Sequence, residues 1–209
     1  MRALRLTSIL GAVSALVSGL FGQNDAIPLT TADSISFSIR NDDRWLAVSA
    51  RRALESGLHE VALEMANGIL ASGRSINAAI RAELALDRID AYLAWGKIKD
   101  ASLLVDNLEY SGVDENSVAL RKSMLAFAEK STQDAALAIA SMDSNGLELG
   151  ERAWFAFLHG WLAAASGDFE SARIGFETAR SAARDVSPEL YARIALMAFV
   201  RELEHSEEA

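Results

Sequence analysis

From Asp42 to the C-terminal end, apolar residues recur every three or four positions, the spacing of helices with one buried face. Breaks in that spacing predict nine helices: Asp42 to about Ser56, then 59–71, 76–95, 97–110, 115–129, 132–142, 149–166, 168–184 and 188–205. Asp42 or Asp43 can cap the first, Asp114 or Asn116 the fifth, and Ser187 with Pro188 opens the last as a cap followed by a first-turn proline. Two stretches depart from the helical period. Ser34-Ile35-Ser36-Phe37-Ser38-Ile39 alternates strictly between polar and apolar residues, which is strand spacing. No second strand-like run exists to pair with it, so residues 23–41 read as a polar linker followed by an extended arm docked on the helices.

The other departure is at the N-terminus. Met1-Arg2-Ala3-Leu4-Arg5 is a short basic start, and Leu6 to Phe21 carries no charge. This pattern predicts a secretory signal peptide over residues 1–22, ending near Gly19 or Gly22. The apolar run is shorter than the roughly 20 residues of a comfortable span. An uncleaved anchor in the inner membrane is the alternative, and the one route by which this chain would touch a membrane. A first helix buried in the fold is a third reading. The expected destination is the periplasm or the exterior, and the absence of cysteine excludes a lipoprotein signal.

Removing residues 1–22 takes away Arg2 and Arg5 and leaves 29 acidic against 18 basic residues, a formal charge near −11. Such a surface repels phosphate backbones and argues against nucleic-acid binding. Without cysteine there are no disulfides, no thiol chemistry and no thiolate-bound zinc, so burial alone must hold an exported fold.

A short phrase recurs along the helical region. A break at Gly57, at Gly96, at Lys130 and at Gly167-Asp168 is followed by Ala62, Ala101, Ala135 and Ala172 respectively. The alanines are separated by 39, 34 and 37 residues, a period that indicates stacked helix pairs. The best copy, Gly160, Gly167, Asp168, Phe169, Ala172, Phe176 and Ala179, resembles the tetratricopeptide repeat. Tyr92, Gly96 and Ala101 match in the second copy, Gly57 and Ala62 in the first, and little beyond Ala126 and Ala135 in the third. The resemblance spans residues 42–205. It departs from the family in its longer spacings and in lacking the proline that ends each second helix, apart from Pro188. It implies an all-α, right-handed solenoid of about four antiparallel hairpins with a closing C-terminal helix and a short acidic tail at 206–209. Ala62, Ala101, Ala135, Gly160, Ala172, Phe176 and Ala179 would then be the residues that pack the repeats, small where helices cross.

In this family the first helix of each pair lines a concave groove that holds peptides. On this chain that face maps to Arg44, Ala47, Arg51 and Leu54, then Glu83, Leu86, Asp90 and Leu93. It continues through Ser117, Leu120, Met124 and Phe127 to Trp154, Phe157, Trp161 and Ala164. Leu86, Leu93, Leu120, Met124, Phe127, Trp154, Phe157 and Trp161 are therefore the expected partner-binding residues, with an aromatic C-terminal end. The same register predicts ion pairs of Arg44 with Glu83 and of Arg51 with Asp90. The implied function is an exported adaptor that grips an apolar segment of a protein. The alternative is a structural or truncated piece of a larger envelope assembly, its groove filled by the last helix or by the arm.

Catalytic candidates are weak. His59-Glu60-Val61-Ala62-Leu63 begins like a zinc-protease helix but has Leu63 where the second histidine belongs. Glu83, Asp87 and Asp90 share one helix stripe, and adjacent Arg81 and Arg88 make a paired, solvated face the expected reading. His159 lies in an aromatic helix, where packing or a groove rim suits it better than catalysis. No phosphate loop, nucleophile elbow or His-Asp arrangement is present, so neither catalytic residues nor a metal or cofactor is expected.

Overall fold

This computed structural model describes residues 43–73, 75–108, 112–140 and 142–206. The arm, the linker, the predicted signal peptide at 1–22 and the tail at 207–209 lie outside the described residues. Asn41–Ala209 forms one compact unit. Its helices are α1 (Asp43–Glu55), α2 (His59–Ala71), α3 (Ala78–Ala94), α4 (Ile98–Val105), α5 (Glu115–Ala128), α6 (Thr132–Ala140), α7 (Leu149–Ala165), α8 (Phe169–Arg184) and α9 (Pro188–Ser206). A 3-10 turn at Ser144–Gly146 precedes α7, and the described residues contain no strand.

The starts of these helices follow their caps. The Asn77 side chain accepts from the Ala79 N–H, Asp114 from Asn116 and Ser117, and Asp168 from Ser171. Ser187 Oγ accepts from the Leu190 N–H, and Glu148 with Glu151 forms a reciprocal capping box. One predicted end moves. The fourth helix stops at Val105 instead of 110, where Asn107 donates its side-chain amide to the Leu103 carbonyl and occupies an acceptor of the last turn.

The recurring break has one geometry. Gly57, Gly96, Lys130 and Gly167 all take a left-handed conformation, with φ of 76°, 75°, 63° and 83°. The next residue then donates back across the turn: Leu58 to the Ala53 carbonyl, Lys97 to Tyr92, Ser131 to Ala126 and Asp168 to Ala163, at 2.8–2.9 Å. These bonds satisfy carbonyls that the helix end leaves open. Five residues beyond each break stands the repeat alanine, in every case the fourth residue of its helix. Ala62, Ala101, Ala135 and Ala172 are all buried, as are Gly160, Phe176 and Ala179.

Packing follows chain order. Each helix packs on the next through most of the chain, and α1, α3, α5, α7 and α9 also contact one another in sequence. The core is shared out: one cluster joins α1, α2 and α3 through Ala47, Ala50, Ala66, Ile69 and Leu84, and a larger one runs from Ile89 to Ala198. The tightest crossing is α7 on α8. A Cβ placed on Gly160 would sit 2.8 Å from the Phe176 ring, and one on Gly175 would sit 2.7 Å from the Gly160 Cα. Two glycines let these backbones meet.

Candidate functional site

One side of the Asn41–Ala209 unit is concave. It encloses a cavity of about 1000 Å³ lined by α1, α3, α5, α7 and α9, by the α1–α2 turn as far as His59, and by the segments entering α7 and α9. None of α4, α6 or α8 contributes a helical residue to it. A residue in the left-handed conformation follows each odd-numbered helix through α7, and these helices contact one another in sequence.

Of the residues predicted for a groove, Arg51, Leu54, Glu83, Leu86, Asp90, Ser117, Leu120, Met124 and Trp154 line this cavity. Leu86 and Trp154 are half-buried and face it with real surface, whereas Leu120 and Met124 back it at 0 % and 5 % exposure. The other four expected partner-binding residues lie elsewhere. Leu93, Phe157 and Trp161 are buried, Phe127 is half-buried, and none of the four lines the cavity. Phe127 meets Phe157 and Trp161 edge-on with ring centroids 5.1 and 4.9 Å apart. The closing helix lies over this cluster, with the Arg193 guanidinium 4.8 Å from the Trp154 ring and Arg201 5.4 Å from Phe127. Ile194 and Ala198 of α9 join the same core. The aromatic stripe is thus largely interior, and the open part of the concave wall lies toward the N-terminal ends of α5 and α7.

The cavity floor carries an ionic network. Arg121, 4 % exposed, grips Asp90 with both Nε and Nη2, at 3.1 and 2.7 Å, and pairs through Nη1 with Glu151. Ser117 Oγ donates to the same Glu151 carboxylate, whose other oxygen accepts from the Glu148 N–H. Burial works against the charge of Arg121, yet Asp90 and then Glu151 outweigh it and hold its pKa above the ordinary arginine value. Asp90 therefore belongs to Arg121 and not, as the register predicts, to Arg51. Arg51 instead places Nε 2.5 Å from Asp87 Oδ1, in a contact poorly aligned for a hydrogen bond.

Asp87 also corrects the reading of its stripe as a solvated face. It is 3 % exposed, and its cation comes from α1 and not from Arg81 or Arg88. Burial, reinforced by neighbouring Asp90, pushes its carboxyl up to about 7 although Arg51 and Arg121 oppose the shift. From the other end of the pair, Arg51 is raised: burial disfavours its charge, but Asp87, Asp90 and Glu148 together exceed that cost. The two directions agree once the partners are compared. Asp87 loses nearly all its water, whereas the Arg51 side chain keeps 34 % of its exposure.

Two cavity groups lie outside the groove register read from the sequence. Arg193 is held below the ordinary arginine value by burial, with only Asp90 opposing, and it rests on Trp154. His59 is lowered by burial and then by Arg193, and its Nδ1 is buried without a hydrogen-bond partner. His159, by contrast, is outside the cavity and meets Phe155 edge-on, with ring centroids 4.4 Å apart. Among the described residues no group of three His, Asp or Glu side chains is placed to hold a metal ion, and no helix is long and apolar enough to cross a membrane. Compared with known proteins, the chain matches no family model, no curated protein and no solved structure at a significant level.

Proposed function

We propose that this chain is a tetratricopeptide-like interaction module, a right-handed solenoid of about four hairpins and a closing helix, that holds a segment of another protein in its concave cavity. The observation that carries the reading is the cavity itself. Its helical walls come from α1, α3, α5, α7 and α9, and Leu54, Leu86, Leu149, Trp154 and Leu190 give it apolar surface. Leu149 is 56 % exposed there. Four equal turns, each followed by a buried alanine, support the repeat interpretation. Export by way of residues 1–22 remains part of the proposal and places the partner in the periplasm or outside the cell.

A second reading has one specific observation behind it. The Phe127–Phe157–Trp161 cluster is covered by α9, which is how a structural component with a self-filled groove would look. The two readings separate experimentally. Full-length chain immobilised against envelope extract should retain a discrete partner, and Leu86→Ser with Leu149→Ser should release it. Leu103→Ser, at a 65 % exposed leucine of α4 outside the cavity, should not. Equal retention by all three proteins would favour the structural reading.

A further inference from the structure

The charge around the cavity says what kind of segment it takes. Eight carboxylates line it (those of Glu55, Glu83, Asp90, Asp114, Glu148, Glu151, Asp185 and Glu189) against four guanidiniums. Two of the four guanidiniums, Arg51 and Arg121, are held in ion pairs among the described residues, and the other two make weaker contacts. Arg51 lies on Asp87, Arg121 spans Asp90 and Glu151, Arg152 donates to the Leu147 and Asn145 carbonyls, and Arg193 rests on Trp154. The carboxylates divide differently. Asp90 and Glu151 are neutralised at the floor, but Glu55, Glu83, Asp185 and Glu189 are exposed, and no ion pair among the described residues engages them. His59, with an unpartnered, buried Nδ1, stands at the same cavity.

We propose, building on the reading of this cavity as a protein-binding groove, that its occupant is a cationic amphipathic segment. Lysine or arginine side chains meet Glu83, Glu189 and their neighbours at the mouth, while an apolar side chain seats among Leu54, Leu86, Leu149 and Trp154. An acidic segment would face twice as many carboxylates as guanidiniums, with only Arg152 and Arg193 outside an ion pair among the described residues. A wholly apolar one would leave the mouth carboxylates to be desolvated without partners. Complementary charge across such a mouth speeds encounter and sets specificity, and it weakens with salt because exposed pairs are screened over about 10 Å at 0.1 M.

The test uses the full chain and three labelled peptides of one length: lysine with leucine, glutamate with leucine, and lysine with serine. Fluorescence anisotropy should show saturable binding of the lysine–leucine peptide, weakened about tenfold by Glu83→Lys with Glu189→Lys. A smaller loss should follow from the Gln pair at the same positions. Glu64→Lys with Asp100→Lys, two exposed acids outside the cavity, should change little. The proposal is overturned if the glutamate–leucine peptide binds as well, if the lysine–serine peptide does, or if both charge reversals weaken binding alike. A concentration-dependent dimer that the peptide dissociates would assign the cavity to a second copy and would also overturn it. A wrong charge sign alone would leave the partner capture that depends on Leu86 and Leu149 intact, so the two failures are distinguishable.

Discussion

The α7–α8 crossing allows one chemical change to be made twice with opposite outcomes. Glycine to alanine inside a helix gains about 1 kcal/mol from propensity alone. At Gly68, in α2, an added Cβ meets nothing within 4 Å, so Gly68→Ala should keep most of that gain and stabilise the chain by about 0.5–1 kcal/mol. At Gly175 the same Cβ would lie 2.7 Å from the Gly160 Cα, 2.8 Å from its nitrogen and 3.2 Å from the Ala156 carbonyl oxygen. All three are backbone atoms of α7, and none can rotate away. The helices must part by several tenths of an ångström. That loosens Phe176 against Phe157, whose rings are 5.6 Å apart, and fully buried Leu158 nearby. Overpacking of this kind costs about 1–3 kcal/mol. After the propensity gain, Gly175→Ala should be destabilised by up to about 2 kcal/mol, about 1–3 kcal/mol below Gly68→Ala. Urea unfolding followed by circular dichroism reads this as midpoints moving in opposite directions at unchanged slope. A Gly175→Ala protein as stable as Gly68→Ala would refute the close crossing.

Further outcomes follow from the same geometry. Arg121→Met leaves Asp90 and Glu151 without their cation and should cost about 3–5 kcal/mol by chemical denaturation. Asp87 has a folded pKa near 7, above its unfolded value near 4, so its protonated form is the one the fold favours. Its contribution is therefore present at low pH and lost as pH rises from about 4 to 7, with a slope of at most about 1.4 kcal/mol per pH unit. Asp87→Asn should flatten that slope, and an unchanged slope would contradict the burial argument. Lys130 takes the left-handed turn that glycine takes in the other three copies, so Lys130→Gly should raise the unfolding midpoint, by about 0.5–1 kcal/mol in stability. Fusing residues 1–30 to a reporter active only outside the cytoplasm should give activity, and a signal equal to the unfused reporter would remove the export proposal.

Helices and turns were legible because their causes are local. Glycine at 57, 96 and 167 marks left-handed turns, and Asp114, Asp168 and Ser187 mark starts. The alanines that follow are buried because helix crossings demand small residues wherever the turn repeats. The cavity was half legible. Helical spacing puts Trp154, Phe157 and Trp161 on one face, but which neighbour covers that face depends on where α9 lands, a contact the spacing does not encode. Asp87 misled for a related reason: arginines stand six residues before it and beside it, yet its cation is 36 positions away on α1. Arg193 and His59 meet at the cavity from opposite ends of the described chain, and no local pattern joins them.

The central claim, that partners are held on the concave wall, is tested most directly by photo-cross-linking in cells. A benzophenone amino acid at position 149, in the cavity, and at position 103, on an exposed stretch of α4, samples the two surfaces with one chemistry. The account predicts a discrete adduct to another protein from position 149 and none from position 103. An adduct from 103 alone, or no adduct from 149, would contradict it.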